Sequence, residues 1–415
     1  MMDVEKIRKD FPILERKIYG KSLVYLDNAA TSQRPASVLD QLNQINSQSN
    51  GNIHRSFHTL GEEATDAYEQ ARLKVQAFLG AASREEIIYT SGTTASINLL
   101  AYSFSEAFLR KGDKIVISSA EHHSNLVPWQ MACMRYGAEL VVFKVEENGR
   151  WDLEKFEKLL DDKVRLVAMN HISNVLGIVN PVKEMIAIAH RHDIPVMIDG
   201  AQGIVHSKID VQEMDCDFYV FSGHKIFAPT GTGILYGKKK YLEAMPPFMG
   251  GGDMVGNVTF EKTTYAELPL KFEAGTPHFA GQACLSSALQ YAEYLHTMDA
   301  DIKRQEKQII DTVFQGVSEI EGARILGEAG LCSEEGYVDR TPVFSITVDG
   351  LNPSDMAQIL DKMGIAARSG MLCAQPLLNT YGLNSVLRAS FLPYNTVQEA
   401  EYFIASLKRA VRMLR

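Results

Sequence analysis

The sequence predicts an α/β protein: a mostly parallel sheet with helices on both faces, followed by a smaller α+β unit. Two observations carry this. Between residues 85 and 237 short apolar runs alternate with amphipathic stretches, and the runs are apolar at consecutive positions, as in strands covered on both sides. From about residue 280 the pattern changes to two long helical stretches, then strand candidates and a closing helix. At 415 residues the chain is longer than one ordinary domain. The expected division is a large domain over 21–280 and a small domain made of 1–20 and 281–415.

The elements follow in order. "EEIIYT" (85–90) is a strand, and "TASINLLAYSFSEAFL" (94–109) is helical by its i, i+3, i+4 apolar spacing. "KIVIS" (114–118), "ELVVF" (139–143), "VRLVAMN" (164–170), "PVMID" (195–199), "FYVFS" (218–222) and "TGILYG" (232–237) are further strands. "NLVPWQMACMRYG", "DLEKFEKLLDD" and "VKEMIAIAHRH" are the amphipathic pieces between them. In the C-terminal part, "GQACLSSALQYAEYLHTM" and "DADIKRQEKQIIDTVFQGVSEI" are long helices. "ARILG", "VFSITVD" and "IAARS" are strand candidates, and "TVQEAEYFIASLKRAVRML" closes the chain. A helix over 3–10 is expected to pack on the small domain.

A formal net charge of −9 argues against a general nucleic-acid binder, which needs a basic surface. The charged start "MMDVEKIRKDFPIL" reads as neither a signal nor a membrane span, and nowhere do eighteen apolar residues follow one another. Cys133, Cys216, Cys284, Cys332 and Cys373 show no C-x-x-C spacing, and their odd number fits a reducing cytoplasm. The first four read as small buried hydrophobes.

In an open α/β sheet, ligands bind beyond the carboxyl ends of the strands, and polar clusters fall there. "SGTTAS" (91–96) opens a helix and could hold a phosphate, although alone it is also an ordinary helix cap. "AEHHSNLVPW", "NHISNVLG" and "IDGAQG" close further strands, and in the last Asp199 ends an apolar run where a carboxylate needs a cationic partner. "SGHKIFAPTGTG" (222–233) then places Lys225 where a buried strand meets a glycine-bearing loop. Pyridoxal phosphate demands a lysine, a carboxylate for its ring nitrogen, a phosphate cup and a flat group over its ring. Lys225, Asp199, the 92–94 loop with Ser222 and His224, and His122 offer that set. No GxGxxG follows the first strand and no GxxxxGKS/T occurs, so nucleotide readings lose their support. His54 and His58 have metal-compatible spacing but no third ligand nearby, and no metal is expected.

Taken in order, "YLDNAAT", "IHRSFHTLG", "GTT", "EHHSNLVPW", "HISNVLG", "IDGAQ", "SGHK", "FEAGTP" and "RSGMLC" resemble the fold-type I, class V pyridoxal phosphate enzymes. Within them the chain is similar to the SUF-type (group II) cysteine desulfurases over nearly its whole length, with "RSGMLCAQPL" fitting the pattern around their active cysteine. The resemblance implies a role for each candidate. Lys225 links to the cofactor and moves a proton, Asp199 keeps the ring nitrogen protonated, and Gln202 bonds the ring hydroxyl. His122 stacks on the ring, while Thr93, Thr94, Ser222 and His224 hold the phosphate. Thr276 reaches the phosphate of a second subunit, implying a homodimer. Asn174, Arg388, Arg368 and His54 belong to the substrate site, and Cys373 is the nucleophile.

The implied reaction takes L-cysteine to L-alanine and a Cys373 persulfide, supplying sulfur for iron–sulfur cluster assembly. In the family it resembles, members that hand sulfur to a zinc-bound scaffold carry a histidine in the hairpin corresponding to "VDGLNPSD" (348–355); none stands here, so the resemblance implies a SufE-like acceptor or an unusual one. Three positions depart from the pattern: Ala95 stands where a glutamate is usual, and Met371 and Leu372 where histidines are usual. Selenocysteine lyase activity on L-selenocysteine remains an alternative. So do another class V reaction, aminotransferase or epimerase, in which Cys373 is not the nucleophile, and a relay protein with a silent site. Neither nucleic acid nor membrane is an expected partner.

Overall fold

The computed structural model describes residues 3–327 and 340–415. Its centre is a seven-stranded sheet: β1 (Ile87–Thr90), β2 (Lys114–Ser118), β3 (Glu139–Phe143), β4 (Val164–Asn170), β5 (Val196–Asp199), β6 (Phe218–Ser222) and β7 (Gly233–Gly237), in the spatial order β1-β7-β6-β5-β4-β2-β3. β7 is antiparallel to both its neighbours, β1 and β6, and the remaining pairs are parallel. The cause is connection length. The loop between β6 and β7 holds only a 3₁₀ turn, too little chain for a crossover. The mostly parallel sheet expected from the apolar runs is therefore present.

Apart from the edge strand β3, which is partly exposed, both faces are buried, which explains why the strands read as continuous apolar runs. Tyr89, Val116, Val167, Ile198, Phe221 and Ile234 point into one apolar cluster, while Ile88, Ile117, Ala168, Met197, Val220 and Leu235 point into another. Close packing also fixes a glycine pair beside the cavity described below. Gly92 has φ +147°, and a Cβ on Gly233 would lie 2.3 Å from the Gly92 Cα, so no side chain fits between these two backbones.

A second sheet has the order β8-β9-β11-β10, with β8 (Ala323–Ile325), β9 (Val343–Val348), β10 (Arg368–Gly370) and β11 (Val386–Ser390) all antiparallel. Its core joins Phe344, Ile346 and Leu387 to Val313 of the helix Asp299–Ser318, Leu360 of Pro353–Lys362 and Phe403 of Val397–Leu414. The last helix starts in a full capping box, Thr396 with Glu399. "IAARS", expected as one strand, is split. Ile365–Ala366 pairs in parallel with Val24–Tyr25, and Arg368–Gly370 joins β11.

The N-terminal helix Val4–Lys9 touches both parts of the molecule. Phe11 just after it packs at an angle against Tyr394 and Phe227 and edge-on to Tyr291, and Arg8 pairs with Glu399 at 2.9 Å. Leu285, Leu289 and Leu295 of the helix Leu285–His296 contribute to the same apolar cluster as Phe11. No described helix is long and apolar enough to cross a membrane.

Candidate active site

The carboxyl ends of β1, β4, β5 and β6 and the loop after β10 enclose a cavity of about 220 Å³. Thr93, Thr94, His122, Asn174, Asp199, Gln202, Ser222, His224, Lys225, Arg368, Cys373 and Arg388 all line it. Twelve of the fourteen residues singled out in the sequence thus meet in one place.

Asp199, the last residue of β5, is buried, and its carboxylate accepts a hydrogen bond of 3.0 Å from the Ala201 amide. Burial raises its pKa to about 6, because the desolvated charge has too little compensation. Lys225 closes the 3₁₀ turn after β6, and its ammonium donates to the Ala29 carbonyl. Burial, then repulsion from Arg388, lowers its pKa to about 7, with Asp199 and Asp27 pulling the other way. The amine is therefore available in its neutral, nucleophilic form near neutral pH.

Around this pair, Ser222 Oγ accepts from the Thr93 amide at 2.8 Å and lies 2.8 Å from Thr93 Oγ1, at the start of the helix Thr93–Phe108. That cluster of hydroxyls and helix-start amides is a ready anion cup. Thr94 Oγ1 meets Ser124 Oγ at 2.7 Å. Burial and the nearby Lys225 bring the pKa values of both His122 and His224 down to about 4, so both rings are neutral at pH 7. His122 Nδ1 accepts from the Ser124 amide at 3.1 Å, which fixes the ring. Gln202 Nε2 donates to the Ala29 carbonyl at 2.8 Å.

The opposite wall comes from the small sheet. Arg368 and Arg388 stand directly opposite each other on β10 and β11, an unfavourable pairing of like charges. Asp27 lies between them, 3.0 Å from Arg388 and 3.8 Å from Arg368. Arg388 is buried, also donates to the Asn174 carbonyl at 3.1 Å, and keeps a buried Nε without a partner. Cys373 is exposed, whereas Cys133, Cys216 and Cys284 are buried. Burial pushes the Cys133 thiol up to about 11 and the Cys284 thiol up to about 12, and it raises Cys216 further. Those three are inert thiols. Cys332 lies outside the described residues.

The match to known proteins is full-length. The Aminotransferase class-V family model matches residues 24–403. The chain belongs to that family.

Its class V relatives include a probable cysteine desulfurase of Vibrio cholerae, 43% identical over 100% of both chains. Another, from Synechocystis, is 45% identical over 98% of this chain and 95% of its own. The crystal structure of the cysteine desulfurase CsdA (S-sulfonic acid) from Escherichia coli superposes with a TM-score of 0.89 at 37% identity, covering both chains fully.

Pyridoxal phosphate is the cofactor of this class V chain, and the cavity fits it. Asp199 is a buried carboxylate in need of a protonated ring nitrogen, Lys225 is a near-neutral amine, and the Ser222–Thr93 cup suits a phosphate. Two site candidates stand outside the cavity. His54 (φ +67°) lies 3.3 Å from Glu69 and edge-on to Tyr68, and Thr276 is exposed on its loop. His58 caps the helix Thr59–Leu79 by accepting from the Gly61 amide at 3.2 Å.

Sequence reasoning gave no role to Ala29, Ala30, Ser124 and Asn170, which line the cavity, or to Asp27, which holds the two arginines. "YLDNAAT" contains three of the five, so the motif itself was the signal. Leu372 also lines the cavity, and its side chain is buried in an apolar cluster with Ala120, Val175 and Leu378. An apolar residue there anchors the loop by packing, where an imidazole would be poorly solvated. Its neighbour Met371 is exposed. Ala95 sits in the first turn of the helix Thr93–Phe108.

Proposed function

We propose that the protein is a pyridoxal-phosphate-dependent cysteine desulfurase that converts L-cysteine to L-alanine and keeps the sulfur as a persulfide on Cys373. The observation carrying this reading is a single cavity lined at once by Lys225 and Asp199 and by the exposed thiol of Cys373. Bound pyridoxal phosphate supplies an electron sink for the substrate's carbon framework.

The chain's own residues do the rest. Lys225 takes and returns a proton at the substrate Cα, a task its lowered pKa suits. Asp199 stabilises positive charge on the ring nitrogen, Gln202 meets the ring hydroxyl, and His122 covers the ring with a neutral imidazole. Thr93, Thr94, Ser222 and His224 hold the phosphate. Arg388 offers its guanidinium to the substrate carboxylate, with Arg368 and Asn174 beside it. The Cys373 thiolate then attacks the substrate sulfur. An S–S bond forms as the Cβ–S bond breaks, and the electron pair stays on Cβ, which takes a proton and becomes the methyl group of alanine. The two sulfurs lose the electrons that Cβ gains, so no outside oxidant is needed.

In the same reading the enzyme is a homodimer of the SUF-type, in which Thr276 completes the phosphate site of the second subunit and His54 its substrate site. Exposed apolar residues beside these segments, Phe57 just after His54 and Met249 in the loop bonded to Gly275, support a covered face there. The sulfur passes in the cytoplasm to a SufE-like acceptor for iron–sulfur cluster assembly. The exposure of Cys373 supports such a hand-over. A separate apolar cluster around the small sheet supports a two-domain chain, with the Cys373 loop on the smaller domain.

The test is turnover of L-cysteine, followed as alanine and sulfide in the presence of a thiol reductant. Cys373→Ala is expected to keep the cofactor's visible absorbance and lose desulfurase activity by ~10³-fold or more. Wild-type rates of alanine and sulfide from that variant would overturn the reading.

A further inference from the structure

The His-His pair in "EHHSN" has one member without a task. His122 lines the cavity, but His123 does not, and nothing in the reaction above uses it. What it touches is the cysteine loop.

Leu372 and Cys373 are consecutive non-glycine residues with φ +54° and +53°, in the left-handed region that L side chains disfavour. Such a backbone persists only where its surroundings hold it. Leu372 is held by burial, and its carbonyl accepts from Asn174 Nδ2 at 2.9 Å. Cys373 is exposed, so packing cannot hold it in the same way.

His123 grips it from both sides. Its backbone amide donates to the Cys373 carbonyl at 2.7 Å, and its Nε2 accepts from the Gln375 amide at 3.1 Å. Gln375 is the first residue of the helix Gln375–Thr380, so its N–H has no acceptor within that helix. The residue just before His123 is the ring candidate His122. One dipeptide therefore connects the cofactor cavity to the strained loop.

We propose that His123 is a positioning residue for the desulfurase reaction: its imidazole locks the Cys373 loop in register with the cavity. The inference rests on Cys373 being the nucleophile. It also explains how the loop is ordered with Met371 and Leu372 in place of histidines. The imidazole that orders it comes from the end of a large-sheet connection rather than from the loop itself.

The experiment is a rapid-quench single turnover of the cofactor-loaded enzyme with L-cysteine, scoring sulfur on the Cys373 peptide by mass spectrometry. His123→Ala keeps the backbone hydrogen bond but loses the acceptor. It is expected to slow Cys373 loading by ~10–100-fold, in line with a small misplacement of a reacting atom. KM for L-cysteine should stay within about twofold, since the carboxylate site is untouched. His123→Gln restores an acceptor at similar reach and is expected to recover most of the rate. A general loss of fold would instead move cofactor absorbance and KM together and would not be rescued by glutamine. If His123→Ala is insoluble, His123→Asn, too short to reach Gln375, takes its place with the same expected loss.

Wild-type loading in the alanine or asparagine variant defeats the proposal, as does a slow variant that glutamine fails to rescue. Alanine formed by wild-type enzyme with no sulfur on Cys373 would instead sink the desulfurase reading, and this inference with it.

Discussion

Lys225 and Asp199 stand at the ends of strands sandwiched between two apolar clusters, whereas Cys373 stands on an exposed loop whose backbone is in a disfavoured conformation. The first region changes its chemistry by desolvation: a carboxyl raised to about 6 and an amine lowered to about 7. The second leaves its thiol in solvent and invests in backbone hydrogen bonds from His123 and Asn174. The difference matches two tasks. Proton transfer at carbon needs tuned groups that do not move. A sulfur carrier must reach inward to take the atom and outward to pass it on.

The sharpest way to break the comparison lies where the regions meet, at Arg388. Arg388→Gln removes the charge while keeping a polar donor. It is expected to lower kcat/KM for L-cysteine by about 100-fold, chiefly through KM, because a charge-assisted hydrogen bond contributes about 1.5–3 kcal/mol. Steady-state kinetics check this, and an unchanged KM would move the carboxylate site elsewhere.

Asp199 gives an opposite kind of effect. Its folded-state pKa of about 6 lies above the ordinary 3.8, so the folded apo-protein binds the extra proton and loses stability as pH rises through that window. The loss is complete above pH 6 and absent below the unfolded value. Asp199→Asn mimics the protonated form. The apo-variant should therefore be more stable than wild type by about 3 kcal/mol at pH 7.5, and the two should converge near pH 4. Urea unfolding at the two pH values measures it. Activity should be lost in the same variant, a trade of function for stability expected of a buried catalytic charge.

The sheet was legible because all its strands but the edge strand β3, whose Glu139 and Val142 are exposed, are buried on both sides. β2, β3, β4 and β6 fall on the apolar runs residue for residue. β11 was not read as a strand: a buried arginine in the middle of "VLRAS" interrupts the apolar run. The break inside "IAARS" was hidden too, because two partners distant in sequence, Val24–Tyr25 and β11, each take part of the segment. In the site, residues with distinctive chemistry could be found from sequence, since a lysine or aspartate at a strand end needs a reason. Asp27 could not. Its task is to separate two arginines more than three hundred positions away, which only the folded sheet brings opposite each other.

The most direct test is the mass of the cysteine peptides after brief exposure of the purified, cofactor-loaded protein to L-cysteine without reductant. One extra sulfur on the Cys373 peptide, and none on those of the buried Cys133, Cys216 and Cys284, is the expected result. Alanine accumulating while the Cys373 peptide stays unmodified would contradict the division of labour between the two regions.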